Sequence, residues 1–233
     1  MTIEATYKSN MKVADLIATD NRLLSILQRL GISLGFGEAT IQELCTRYGI
    51  STNLFLEICN IYTFRGYTPI AGTLSENDIT SITAYLRTSH KYYNEMCFPV
   101  IHEKIHRLVK ELDEVSRRLI DKFYDDYDNE VNSHFRYEED VVFPYIEAIT
   151  SHTPGETGPY KISKFEENHS NISEKLNDLK NIIIKYLPEG TATALRFEIL
   201  NDIYALESDL RRHALIENKL LIPLVEKREK NNG

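Results

Sequence analysis

A chain of 233 residues with 27 Lys and Arg against 35 Asp and Glu carries a formal net charge of −8. It lacks the basic surface that displaces counterions from nucleic-acid phosphates, which excludes that class of partner. With 42% hydrophobic residues it can bury a sizeable core, yet no uninterrupted apolar run approaches the ~18 residues of a membrane span, so no membrane is expected either.

The N-terminus, MTIEATYKSNMKV, has neither a charged leader running into an apolar stretch nor a small-residue cleavage site. Cys45, Cys59 and Cys97 are odd in number and follow no framework spacing. Together these features make a reducing, cytoplasmic setting the expectation. Glycines and prolines cluster at Gly31–Gly37, Gly66–Gly72, Pro154–Pro159 and Pro188–Gly190. The stretches between these breaks show helical apolar spacing and no strand-like alternation, so the fold class is all-α.

Residues 10–65 read as short helices. Val13, Leu16 and Ile17 form one apolar stripe, and Leu23, Leu24, Leu27 and Leu30 form another. Thr40 and Glu43 make a capping box ahead of Ile41, Leu44 and Tyr48; Gly49 ends that helix, and Ser51 caps the next, through Leu54, Ile58 and Ile61. Elements of this size bury only a small core, so residues 1–66 are expected to form a small helical N-terminal domain whose stripes could support a homodimer. RGYTPIAGTLS, residues 65–75, reads as a linker.

Residues 75–233 hold long helical stretches of the kind that build a four-helix bundle. The first, capped by Ser75 and Asp78, runs past His90 and bends at Pro99. The second covers roughly Arg117–Glu147, the third roughly Lys161–Tyr186 after the turn SHTPGETGP, and the fourth roughly Ala192–Lys227.

Two segments in this part share the pattern H-x3-E-x5-P: His134 with Glu138 and Pro144, and His213 with Glu217 and Pro223. Residues four apart lie on one helix face, so one imidazole and one carboxylate can reach a shared interior point. The interval from His90 to His134 equals that from His169 to His213, 44 residues in each case. Each half of the bundle thus pairs a lone histidine with an H-x3-E helix, an internal repeat of the sort that gives metal-binding bundles approximate two-fold symmetry.

The candidate ligands are His90, His134, Glu138, His169, His213 and Glu217. Four imidazoles, two carboxylates spanning both ions and a solvent-derived bridge would fill about ten of the roughly twelve positions of two six-coordinate ions. About one position per ion is left open. Imidazoles suit iron, zinc, copper or nickel, and a carboxylate-bridged pair favours iron, with manganese a weaker choice.

At these residues the chain resembles the hemerythrin-like (HHE cation-binding) proteins, and specifically the repair-of-iron-centres (RIC) di-iron family. The resemblance rests on TSHKYYNEMCFP, SHFRYEEDVVFP, KFEENH and RHALIENKLLIP, and on the N-terminal helices from MKVADLI to CTRYGIS. It implies a hemerythrin-like bundle with an oxo- or hydroxo-bridged di-iron centre, terminal histidines His90, His134, His169 and His213, and bridging Glu138 and Glu217. It further implies repair of iron–sulfur clusters under nitrosative or oxidative stress, with iron–sulfur proteins as partners. The chain departs from the family at Leu34-Gly35-Phe36-Gly37, where the family carries a Cys-Cys pair before a glycine, so thiol chemistry of that pair is not carried over. The alternatives are a sensor or carrier of dioxygen or nitric oxide, and a di-iron reductase of nitric oxide or peroxide.

His102-Glu103-Lys104-Ile105-His106 fits the H-E-x-x-H zinc-protease pattern, but its interspersed Lys and Arg residues suit a solvated helix face. Asp125, Asp126, Asp128 and Glu130 lack the glycine and terminal Glu of a calcium loop. Tyr92, Tyr93 and Tyr137 lie near the histidines in sequence and read first as core packing. Cys45 reads as a small buried apolar residue, and His152 as a loop residue.

Overall fold

The computed structural model describes residues 6–69, 71–151, 160–168 and 172–232. Among them the regular elements are all helical, with one isolated antiparallel bridge between Lys12 and Thr40. The chain divides into two compact units, one of Met1–Ser89, Phe143–Glu167 and Arg212–Gly233, the other of His90–Val142 and Asn168–Arg211.

In the first unit, α1 (Val13–Thr19), α2 (Leu23–Arg29), α3 (Ile41–Tyr48) and α4 (Thr52–Thr63) follow their local signals closely. The Thr40 hydroxyl accepts from the Glu43 backbone N–H while the Glu43 carboxylate accepts from the Thr40 N–H, so both orphan donors at the start of α3 are satisfied. Gly49 closes the helix at φ 66°, a left-handed position that costs glycine nothing. Ser51 then caps α4 by accepting from Leu54 N. The inward stripe of α2 is Leu23, Ile26 and Leu27, and Leu24 stands 42% exposed. Ile26 and Leu27 lie three and four positions after Leu23, on one face of this two-turn helix, and Leu24 falls about 100° away from that face.

The same unit holds α5 (Asp78–Tyr92) as far as Ser89; the helix starts where Asp78 accepts from the backbone N–H and hydroxyl of Ser75 at 2.7 and 2.9 Å. Along α5, Ile79, Ile82, Tyr85 and Leu86 are buried at the 3–4 residue spacing of a core-facing stripe. α8 (Phe143–Thr150) packs against α12 (Ile222–Asn232), and α9 (Ser163–Asn168) is a short helix that follows Ile162.

The second unit contains α6 (Phe98–Val109), α7 (Glu114–Tyr137), α10 (Ile172–Asn181) and most of α11 (Thr193–Ile216). Its core is one cluster: Ile101, Ile105 and Leu108 from α6; Ile120, Tyr127 and Val131 from α7; Leu176 and Leu179 from α10; Ile199, Ile203 and Leu210 from α11. Burying such side chains stabilises the fold by about 1.5–3 kcal/mol each relative to leaving them exposed. Asp113 starts α7 by accepting from the backbone N–H groups of Val115 and Ser116 at 3.0 Å. One buried ion pair crosses this core, Lys180 Nζ to Glu207 Oε2 at 2.6 Å.

Among the described residues four π turns fall shortly before a proline: one, Ile182–Tyr186 before Pro188, ends its helix, and in the other three the helix runs on. Those three are Tyr93–Cys97 before Pro99, Glu138–Val142 before Pro144, and Glu217–Leu221 before Pro223. A proline inside a helix has no N–H to give and its ring crowds the carbonyl four residues back. A single wider turn accommodates that mismatch without ending the helix, and such turns recur at functional sites. The bend expected at Pro99 takes this form, and two further π turns open at Glu138 and Glu217.

Candidate metal centre

His90 sits in the last turn of α5, 3% exposed, with its ring stacked 4.2 Å from that of Phe135. Its Nε2 lies 2.9 Å from Glu138 Oε2, and its Nδ1 lies 2.8 Å from Glu139 Oε1. His134, one helical turn before Glu138 on α7, places its own Nε2 2.8 Å from the other carboxylate oxygen, Oε1. The Glu138 side chain is fully buried, and each of its two oxygens faces a different imidazole.

The second H-x3-E pair repeats this arrangement. His213, near the end of α11, lies with Nε2 3.0 Å from Oε1 of Glu217, and both residues are buried. His90, Glu138, His213 and Glu217 are all buried and are of the residue types that could hold a metal ion. His169 lies outside the described residues.

These residues fit a metal on two physical grounds. Carboxylates with no exposed surface are costly to ionise unless a cation or a set of hydrogen bonds compensates them. In addition, two donors each about 2.1 Å from one ion and at right angles to one another are about 3 Å apart. The histidine-to-carboxylate separations of 2.8, 2.9 and 3.0 Å have that spacing.

Glu139 meets the outer nitrogen of His90, a contact that the sequence pattern does not single out. A carboxylate on the far nitrogen of a ligating histidine fixes its tautomer and orients the ring. With Glu139 accepting from Nδ1–H, the Nε2 lone pair of His90 is left to face the interior. The signal available in the sequence was the Glu138-Glu139 doublet, but which of the two faces which histidine depends on the π turn that begins there.

The other sequence candidates are placed apart from this cluster. His102, Glu103 and His106 are exposed on α6, with His102 stacked 5.4 Å from Tyr124, and Lys104 is bonded to Asp202 at 2.6 Å. Asp125 and Asp126 are exposed on α7. Cys45 and Cys59 are buried; burial pushes the Cys45 thiol up to about 11, with a Thr52 hydrogen bond pulling the other way, and burial raises Cys59 as well. Both thiols are therefore protonated near neutral pH and poor nucleophiles. His152 lies outside the described residues.

Buried imidazole–carboxylate pairs on long helices, repeated along the chain, define a helical metal-binding protein. A profile of the Hemerythrin HHE cation binding domain matches residues 81–225, and the chain belongs to that family. Its fold is accordingly an all-α, hemerythrin-like helical bundle. Curated relatives include the iron-sulfur cluster repair proteins YtfE of Salmonella paratyphi B (strain ATCC BAA-1250 / SPB7) and Salmonella newport (strain SL254). Each is 28% identical over 120 residues, which is 52% of this chain and 52% of the relative. The chain thus spans about half the length of the curated relatives it matches. No solved structure matches. Among the described residues, no helix is long and apolar enough to cross a membrane.

Proposed function

We propose that this chain holds a carboxylate-bridged pair of iron ions and acts in the cytoplasm to donate iron to damaged iron–sulfur clusters under nitrosative or oxidative stress. One observation carries the reading: a single buried carboxylate, Glu138, turns its two oxygens toward two different histidines, His90 at 2.9 Å and His134 at 2.8 Å. A carboxylate that serves one ion needs no second imidazole on its far oxygen, whereas one that bridges two ions does. Glu217 with His213 supplies the second bridge, and His169 completes the set by the sequence repeat. Iron, when bound, supplies redox activity and exchangeable coordination positions. The chain's own residues fix the imidazole tautomers, hold the bridging carboxylates in a dry interior, and keep bulk water from the ions. The Salmonella relatives are named iron-sulfur cluster repair proteins.

The test has two stages. The purified chain, loaded anaerobically with ferrous salt, should retain about two ions after desalting and show near-ultraviolet absorption on oxidation. Added to an enzyme whose iron–sulfur cluster has been damaged by peroxide, it should restore activity beyond what the same amount of free ferrous iron restores. Equal recovery from free iron would overturn the repair reading.

One feature favours a second reading, reversible binding of dioxygen or nitric oxide. Leu34-Gly35-Phe36-Gly37 stands where the resemblance leads one to expect paired thiols, and Leu34 is 70% exposed. Reversible spectral change under either gas, with the metal content constant and no gain in cluster repair, would select it.

A further inference from the structure

Arg29, the last residue of α2, is a cation only 4% exposed in the first unit. Burying a guanidinium requires partners for its fixed fork of donors and suits flat surfaces for its faces. Arg29 has both. Nε donates to the Ser25 carbonyl at 3.1 Å, Nη2 to the Ser25 hydroxyl at 3.0 Å, and Nη1 to the Ser89 hydroxyl at 3.4 Å. Its guanidinium carbon stands 5.3 Å from the ring centre of Tyr62 and 5.4 Å from that of Tyr85.

Two features of these contacts point beyond packing. Ser89, fully buried, immediately precedes His90, and its neighbour Thr88 donates its hydroxyl to the Arg29 carbonyl at 2.8 Å. The Tyr62 ring is also 5.4 Å from a second guanidinium, that of Arg212, whose Nε donates to the Tyr62 carbonyl at 3.1 Å. Arg212 immediately precedes His213. The N-terminal helices α2 and α4 therefore grip the chain one residue before each of two histidines of the candidate centre, through an Arg29–Tyr62–Arg212 stack.

We propose that Arg29, with Tyr62, is a positioning residue for the metal centre, holding the turns that carry His90 and His213 and so setting how fast the site surrenders its metal. The proposal rests on the reading of His90 and His213 as ligands. It gives the small N-terminal segment a role that needs no cysteine pair: it acts as a brake on ion release. Arg29 acts through Ser89 and Tyr62.

The test measures transfer of ferrous ion from the loaded, full-length chain to an excess of a coloured ferrous chelator, alongside the near-ultraviolet spectrum. Ser89→Ala removes one hydroxyl from a helix and leaves the fold intact. Arg29→Met removes the stack, and Tyr62→Phe keeps the ring. Ser89→Ala and Arg29→Met should speed release about 10-fold, the lower end of the range for groups that orient metal ligands, and should shift the spectrum. Tyr62→Phe should release at the unsubstituted rate. If Ser89→Ala and Arg29→Met lower the melting temperature but leave release rate and spectrum unchanged, the contacts are merely structural and the proposal falls. If the unsubstituted chain takes up no iron, the proposed function itself fails and this inference with it, an outcome visible before any variant is made.

Discussion

Glu138 and Glu139 are adjacent in sequence and do different work. Glu138 is wholly buried between two imidazoles, while Glu139 is a third exposed and meets the outer nitrogen of His90. Replacing Glu139 by Gln should leave the fold intact yet lower ferrous affinity about tenfold, because the amide is a weaker acceptor for Nδ1–H and no longer fixes the tautomer. Anaerobic calorimetric titration of the variant against the parent checks this, and equal affinities would remove Glu139 from the site. At this scale the sequence was informative for a definite reason. Helical periodicity puts residues four apart on one face, so His134 with Glu138 and His213 with Glu217 could be paired without coordinates. Glu139, Ser89 and Arg29 could not, because their roles depend on which side chain from a distant element meets them.

At the scale of the element, capping chemistry was readable because it is local. Thr40, Glu43, Gly49, Ser51 and Ser75 occupy the positions their side chains or backbone freedom suit. Thr40→Ala should cost about 1 kcal/mol, the usual loss when an N-cap oxygen is removed. Urea unfolding gives the measurement, with an unchanged slope separating loss of stability from a change in compactness. The π turns were not readable as such. The prolines announced a disturbance in each helix, and a bend at Pro99 was the expectation, but whether the strain appears as a kink, a break or a widened turn is decided by the packing on either side. Leu24 shows the same limit: a leucine in a short helix could face either way, and the two-turn length of α2 leaves room for only one buried stripe.

At the scale of the whole molecule, the metal should be part of the stability. A ligand that binds only the folded state stabilises it by mass action, by about 4.1 kcal/mol at a free concentration of about 1,000 times the dissociation constant. Iron-loaded protein should therefore melt above the chelator-treated form, with a dependence on free ferrous ion that calorimetric scanning resolves; identical melting curves would show that the buried carboxylates are neutralised in some other way. The expectation of a small N-terminal domain ahead of a bundle rests on glycine and proline punctuation alone. The ties from α2 and α4 to Ser89 and Arg212 span 60 and 150 residues, distances at which a single sequence carries no pairing signal. The π turns have a consequence at this scale too. Each is a change of phase. A helix that spends one additional residue on a turn delivers everything after it about 100° late, so α8 and α12 meet each other with stripes set by Glu138–Val142 and Glu217–Leu221 as much as by their own leucines and isoleucines. Deleting one residue from 139–142 would rotate Phe143 and Ile146 away from the interior while leaving His134 where it is.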